Sequence, residues 1–303
     1  MTTSPSASPK PTLPASTHTG QVHLRVADLD SSLAFYRDML GYHVENVGTR
    51  SVQLAPKPEA NSHFQLDEAP GVSPKPWKMA GLFHAAIRIG SRPDLARTIK
   101  RLVDHGWPVP GTADHGVSEA FYLNDPDSNG LEIYADRPRD QWPYSGGTVQ
   151  MVTDPLDLES LFSTVASDSG PDESMPVTSD IGHVHLQVSD LARAERFYVE
   201  ILGFDVTQRS YGGALFVSAG GYHHHVGLNV WAGRNVSDPS DDVAGLIDFT
   251  VLVPDVSTLE AIEKRLADAG VPFDGSTDPN GTPTIATHDL DGIGVVVRVD
   301  EGA

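Results

Sequence analysis

The feature that most constrains this chain is that it repeats itself. HLRVADLDSSLAFYRDMLGYHV (23–44) aligns without gaps to HLQVSDLARAERFYVEILGFDV (185–206), and ten of the 22 positions are identical. The identities include His23/His185, Asp28/Asp190, Phe35/Phe197, Tyr36/Tyr198 and Gly41/Gly203. Two more pairs follow in the same order: LARTIKRLVDHGWPV (95–109) with LEAIEKRLADAGVPF (259–273), and NDPDSNGLEIY (124–134) with HDLDGIGVVVR (288–298). Such a chain is built from copies of one supersecondary unit, none of which buries its apolar face alone.

Local patterns give the unit its shape. VHLRV alternates like a half-buried strand, and Asp28 follows as a helix N-cap. Leu33, Tyr36 and Leu40 share one helical face, which Gly41 closes at the C′ position. VENVG, RSVQLA and HFQL read as short strands. Residues 82–89 (LFHAAIRI) open a second unit, with a helix at about 94–105 and strands up to Tyr134. Two further units occupy about 181–231 and 245–299. The expected fold is therefore α+β, with four βαβββ modules forming two half-barrel-like domains. Residues 17–136 would hold modules one and two as an N-terminal domain, and 181–303 would hold modules three and four as a C-terminal domain. The Ser/Thr/Pro-rich residues 1–16 read as a disordered tail, and 137–180 as a linker with one helix-like stretch, LDLESLFSTV.

Composition narrows the function. The formal charge is −20, from 41 acidic and 21 basic side chains. That surface repels phosphate backbones, so nucleic acid is not an expected partner. No apolar run reaches the ~18 residues of a membrane span, and the first residues carry no targeting pattern, so a cytoplasmic protein is expected. Cysteine is absent, which leaves His, Asp, Glu and water as possible metal ligands.

Three candidate ligands stand at related places in the repeat. His183 opens the first strand of module three (IGHVHLQV), His84 has the matching place in module two (GLFHAAIRI), and Glu132 lies on the last strand of module two (NGLEIY). Two histidines and a carboxylate on rigid strands suit a non-haem Fe(II) ion with open coordination positions. In YHHHVGLN, strand alternation turns His223 and His225 away from His224. By the same even spacing His185 shares a face with His183 and is able to line a cavity there. Asn229 and Trp231 either shape a pocket or pack in the core.

These motifs resemble the vicinal oxygen chelate superfamily, through the Hv-x-l-x-V-x-D-L…FY…LGF opening and the DPD-x-N-G-x-E closing strand. Within it, HGVSEAFYLNDPDSNGLEIYADRP (115–138) and FVSAGGYHHHVGLNVWAG (216–233) resemble type I extradiol ring-cleaving dioxygenases, most nearly the short catechol 2,3-dioxygenases. The resemblance implies His84, Glu132 and His183 as metal ligands, His224 as acid–base histidine, and His115 and Tyr122 as hydrogen-bonding groups. It implies Fe(II), with Mn(II) accommodated by the same donors. The implied partners are a small-molecule catechol, O2 and further copies of the chain as a homo-oligomer. The family's usual ligand positions are interrupted here: Gln21 stands in module one where a His belongs, and Asp248 and Val296 stand in module four. Modules two and three together supply a full set, so the site is expected to form across the halves; a site of Gln21, His84 and Glu132 is the rival. A glyoxalase-type lyase or isomerase and a dioxygenase for hydroquinone-type diols are the alternative activities.

Overall fold

Each module of the computed structural model, which describes residues 11–146, 148–165, 174–234, 236–278 and 281–300, carries the elements its sequence pattern predicts. Module one is β1 (His18–Val26), α1 (Leu29–Tyr36), β2 (His43–Gly48), β3 (Ser51–Ala55) and β4 (Phe64–Glu68). Module two is β5 (Gly81–Arg88), α2 (Arg92–Asp104), β6 (Gly111–Asp114), β7 (Ser118–Asn124) and β8 (Gly130–Asp136). A hairpin of β9 (Tyr144–Ser145) and β10 (Thr148–Val149) and the short α3 (Leu158–Phe162) follow. Module three is β11 (Asp180–Gln187), α4 (Leu191–Glu195) running into a π-helical segment (Arg196–Leu202), β12 (Asp205–Gln208), β13 (Ala214–Ser218) and β14 (Val226–Asn229). Module four is β15 (Gly245–Val253), α5 (Val256–Ala269), β16 (Phe273–Thr277), β17 (Pro283–His288) and β18 (Gly294–Val299). The module helices begin at Asp28, Ser91, Asp190 and Asp255, whose side chains accept from backbone N–H groups of the first turn.

The strands form two eight-stranded sheets, ordered β16-β17-β18-β15-β1-β4-β3-β2 and β12-β13-β14-β11-β5-β8-β7-β6. One sheet thus joins modules one and four, and the other joins modules two and three. This corrects the expected partnership of modules one with two and three with four: each half contributes to both sheets. The apolar pattern is satisfied by either pairing, because any opening strand can meet any other edge to edge. Here β5 runs antiparallel to β11, and β1 antiparallel to β15.

Sequential modules are joined instead through their helices and turns. Tyr36, at the end of α1, donates its hydroxyl to buried Asp125 in the DPD turn before β8 (3.1 Å). Tyr198 donates in the same way to Asp289 before β18 (3.0 Å). Each aspartate also accepts two backbone N–H groups of its own turn, from Asp127 and Asn129 or from Asp291 and Ile293. Arg101 on α2 donates to the Met39 and Leu40 carbonyls, and Arg265 on α5 to those of Ile201 and Leu202, satisfying carbonyls at the ends of the neighbouring helices. These contacts explain why FY, KRL and D-x-D recur in both halves.

Gly130 and Gly294 recur for a different reason. A Cβ at Gly130 would stand 2.0 Å from the Phe83 carbonyl oxygen, and one at Gly294 2.2 Å from that of Ile247. Each closing strand starts where it crosses the opening strand of its own module, too close for a side chain. One apolar cluster draws on all four modules, with Phe35, Ile87, Phe197 and Phe249 among its buried members.

Two further expectations change. Residues 1–10 lie outside the described residues, but 11–16 are ordered: Leu13 is buried and its N–H donates to the Gly203 carbonyl. Segment 137–180 is more than a linker, since Met151, Val152 and Thr153 line the cavity described below. Among the described residues no helix is long and apolar enough to cross a membrane.

In the first sheet His23 bridges two carboxylates, with Nε2 2.8 Å from Asp67 and Nδ1 3.2 Å from Asp248. Burial alone would lower its pKa, but the two carboxylates outweigh it and hold the ring above the ordinary histidine value. A raised folded-state pKa contributes stability that is complete below about pH 6.5 and is lost as pH rises through the folded value. His23→Gln should therefore lower stability by about 1 kcal/mol at pH 6 and by less at pH 9. Urea denaturation at the two pH values measures the gap; an equal gap at both would show that the bridge carries no proton-linked stability.

Candidate metal centre

Strand register brings the predicted ligands together. Across the second sheet, Tyr122 pairs with Glu132, Glu132 with Ala86, and Ala86 with His183. The adjoining row pairs His84 with His185, His185 with Gly227, and Gly227 with Phe216. Side chains in one row leave the same face, and His84 lies two residues from Ala86 on that face. Buried Ala86 leaves the centre of the first row open, so Glu132 and His183 converge over it from either side. β-Bulges at Ile181/His183 and His185/Leu186 bracket the two histidines of β11, a common way of re-aiming side chains.

The convergence is tight. Glu132 Oε2 lies 3.0 Å from His84 Nε2 and 3.2 Å from His183 Nε2. One potential ligand atom from each of the three residues lies within 4.8 Å of the others. All three side chains are buried, and His84 and Glu132 line one cavity. His84 Nε2 is buried without a hydrogen bond, although it points at the carboxylate. Gln21 lies on β1 of the other sheet, apart from this row.

Electrostatics favour a cation here. Burial would raise the Glu132 carboxyl, but the imidazoles of His183 and His84 override it and hold the group well below the usual carboxylate range. Burial lowers His183 to about 4 despite the carboxylate, and drives His185 and His224 well below the ordinary histidine range. The result is an ionised carboxylate near His183, His185 and His224, which burial keeps from protonating, with no Lys or Arg among the described residues lining the cavity. A buried charge of that kind calls for a counter-ion, and deprotonated donors are what a divalent metal requires. The residues present therefore fit a metal of the two-histidine, one-carboxylate class.

A cavity of about 280 Å³ opens over the row, walled by Phe83, Phe216, Tyr211 and Trp231 and reached by His84, His115, Tyr122, Glu132, His185 and His224. His115 and Tyr122 act as a pair. His115 Nδ1 donates to the Val152 carbonyl (2.6 Å), so in the neutral ring Nε2 accepts from the Tyr122 hydroxyl (2.6 Å). Burial and the neighbouring Glu132 hold the Tyr122 hydroxyl protonated, well above its ordinary pKa. His224 packs on His183, with ring centroids 4.0 Å apart, and on Phe216.

The neighbours of His224 differ from expectation. Residues 222–225 precede β14 and form a loop, so strand alternation does not govern them. His223 bonds directly to His224 and to Asp136, whereas His225 accepts from the Ala219 N–H and lies against Tyr222. Asp136, four residues past Glu132, lies within the 115–138 motif, which gave it no role. His185 lines the cavity, as its spacing allowed. The Asn229 amide oxygen accepts from the Trp231 N–H and so holds the turn that carries this aromatic wall.

The Glyoxalase/Bleomycin resistance protein/Dioxygenase superfamily model matches residues 18–133 and 180–299, and the chain belongs to that superfamily. A relative, the catechol-2,3-dioxygenase of Bacillus subtilis (strain 168), is 40% identical over 257 residues, covering 84% of this chain and 89% of the relative. Among solved structures the fold is similar to a Bacillus subtilis subsp. subtilis protein (TM-score 0.66, 13% identity, 96% of this chain and 86% of that one). It is also similar to glyoxalase I from Zea mays (TM-score 0.56, 17% identity, 94% and 92%).

Gly227 lies under the His185 ring, and a Cβ there would stand 2.9 Å from His185 Cγ. Gly227→Ala should therefore cost about 1–3 kcal/mol by overpacking and push His185 toward the cavity. Thermal unfolding tests this; an unchanged Tm would mean that the ring has room to move.

Proposed function

We propose that this protein is an extradiol ring-cleaving dioxygenase: it takes a catechol and O2, opens the ring beside the diol and yields a 2-hydroxymuconic semialdehyde. The observation that carries the reading is the convergence of His84, Glu132 and His183 at the floor of an aromatic cavity that also holds His224, His115 and Tyr122. The 40% identity to a catechol-2,3-dioxygenase over most of both chains supports the same activity. His84, Glu132 and His183 would hold Fe(II); the donor set also accommodates Mn(II).

A metal held by His84, Glu132 and His183 would supply Lewis acidity toward the diol and redox chemistry toward O2. The protein does the rest. His224, neutral and facing the cavity, accepts a proton from a diol hydroxyl at its free ring nitrogen and can return it later. Tyr122, whose hydroxyl hydrogen is held by His115, presents its phenolic oxygen to the cavity as a fixed acceptor for a diol hydroxyl. Phe83, Phe216 and Trp231 hold the ring by stacking and edge contacts and exclude water.

The walls also predict selectivity. With no Lys or Arg among the described lining residues, and a formal charge of −20 on the whole chain, a ring carboxylate would be desolvated without a partner. Catechol and alkyl- or aryl-substituted catechols should exceed carboxylated catechols in kcat/KM by tenfold or more, a margin of about 1.4 kcal/mol. A preference for the carboxylated rings would contradict this account of the walls.

Iron-loaded protein should consume one O2 per catechol and form a yellow product. His183→Ala should lose bound iron while Gln21→Ala keeps it. His224→Phe should keep iron but lower kcat by about 10²–10⁴. An oxygen electrode and iron analysis check these outcomes; iron-loaded protein that consumes no O2 with any diol would overturn the proposed activity.

A further inference from the structure

His224 is joined to a carboxylate through a second histidine. His223 Nε2 lies 3.0 Å from Asp136 Oδ1, and His223 Nδ1 lies 2.8 Å from His224 Nδ1. A carboxylate oxygen only accepts, so the hydrogen of this bond sits on His223 Nε2. The two ring nitrogens that face each other share one hydrogen, and with His223 Nδ1 as the acceptor it is His224 Nδ1–H that donates. That leaves His224 Nε2 as the bare nitrogen, on a ring that lines the cavity.

The surroundings fix this arrangement. His223 is 1% exposed, so water does not compete for its bonds. Asp136 is held by the Tyr222 hydroxyl at 3.0 Å and by Arg88 at 3.4 Å, and Tyr222 is hydrogen-bonded in turn to Tyr134 (2.7 Å). The His224 ring is clamped between His183 and Phe216, which opposes a flip.

We propose that Asp136 and His223 are positioning residues that hold His224 in the Nδ1–H tautomer, presenting Nε2 to the substrate as a proton acceptor. The proposal rests on the dioxygenase reading above. In the step concerned, a diol O–H bond breaks, its electron pair stays on oxygen, and an N–H bond forms at His224 Nε2. The resulting imidazolium keeps its Nδ1–H on His223, whose far edge meets the Asp136 carboxylate. A carboxylate thus both selects the tautomer and stabilises the cation, with one imidazole interposed between them.

The test compares iron-loaded wild type, His223→Gln, His223→Phe and Asp136→Asn. Gln can accept from His224 and donate to Asp136, whereas Phe can do neither. The nearly isosteric Asp136→Asn removes the charge with little change of shape. At equal iron content and similar catechol KM, His223→Phe and Asp136→Asn should lose tenfold or more in kcat, while His223→Gln stays within about threefold of wild type. Without O2, bound 4-nitrocatechol supplies a second readout, because its visible spectrum reports its ionisation. Wild type and His223→Gln should show the more ionised form, and His223→Phe and Asp136→Asn the less ionised one at equal occupancy. The proposal is overturned if His223→Phe and Asp136→Asn match wild type in kcat and spectrum, or if His223→Gln falls as far as His223→Phe. A wild type that binds 4-nitrocatechol but turns over no diol would count against the dioxygenase reading, while its spectra would still decide the role of the chain.

Discussion

The antiparallel ladder between β5 and β11 has two faces with different tasks. On one, Ala85, Ile87, Ile181, Val184 and Leu186 join the apolar core. On the other, His84, Ala86, His183 and His185 form the floor of the cavity. Burying a carboxylate and several imidazoles is unfavourable by itself. The apolar face of the same strands offsets that cost, since each large aliphatic side chain removed from water contributes roughly 1.5–3 kcal/mol. Rigidity follows as well: the donors stand on strands whose opposite side is fixed by packing, so the geometry survives without a loop to hold it.

The other sheet puts equivalent positions to a different use. Asp248, at the place of His84, is drawn to His23, at the place of His185, and Asp67 completes the bridge. A chain of charges across strands replaces a cluster around one point. Both sheets therefore concentrate polar groups at the seam between modules, one for cohesion and the other for chemistry. Divergence after duplication needed only a few side chains to separate the two.

Much of this was legible in the sequence because duplication exposes spacing. The modules, the Asp28 N-cap, and the trio His84, Glu132 and His183 follow from aligned positions and strand periodicity, and the structure brings those three side chains together. The partner of each opening strand was not legible, because edge pairing is set by backbone hydrogen bonds that every sequence can make. Hydrogen-bonded links such as Tyr36–Asp125 recur in both halves, yet the recurrence alone does not say what the residues touch. His223 was misjudged because a loop looks like a strand when its residues run into one, and Asp136 drew no reading because its role depends on a contact between distant segments.

The interleaving also sets the order of synthesis against the order of assembly. A growing chain releases modules one and two first, able to lock together through Tyr36 and Asp125 while the edges of β1 and β5 still lack partners. β11 closes one edge only when module three has emerged, and β15 closes the other later still. Unpaired strand edges are templates for other strands. During that interval the β11 of a second copy can take the same place, and the resulting exchanged dimer would carry the same donors at a site shared between chains. Expression at low chain density, or slow enough for each nascent chain to close on itself, would favour the self-contained form.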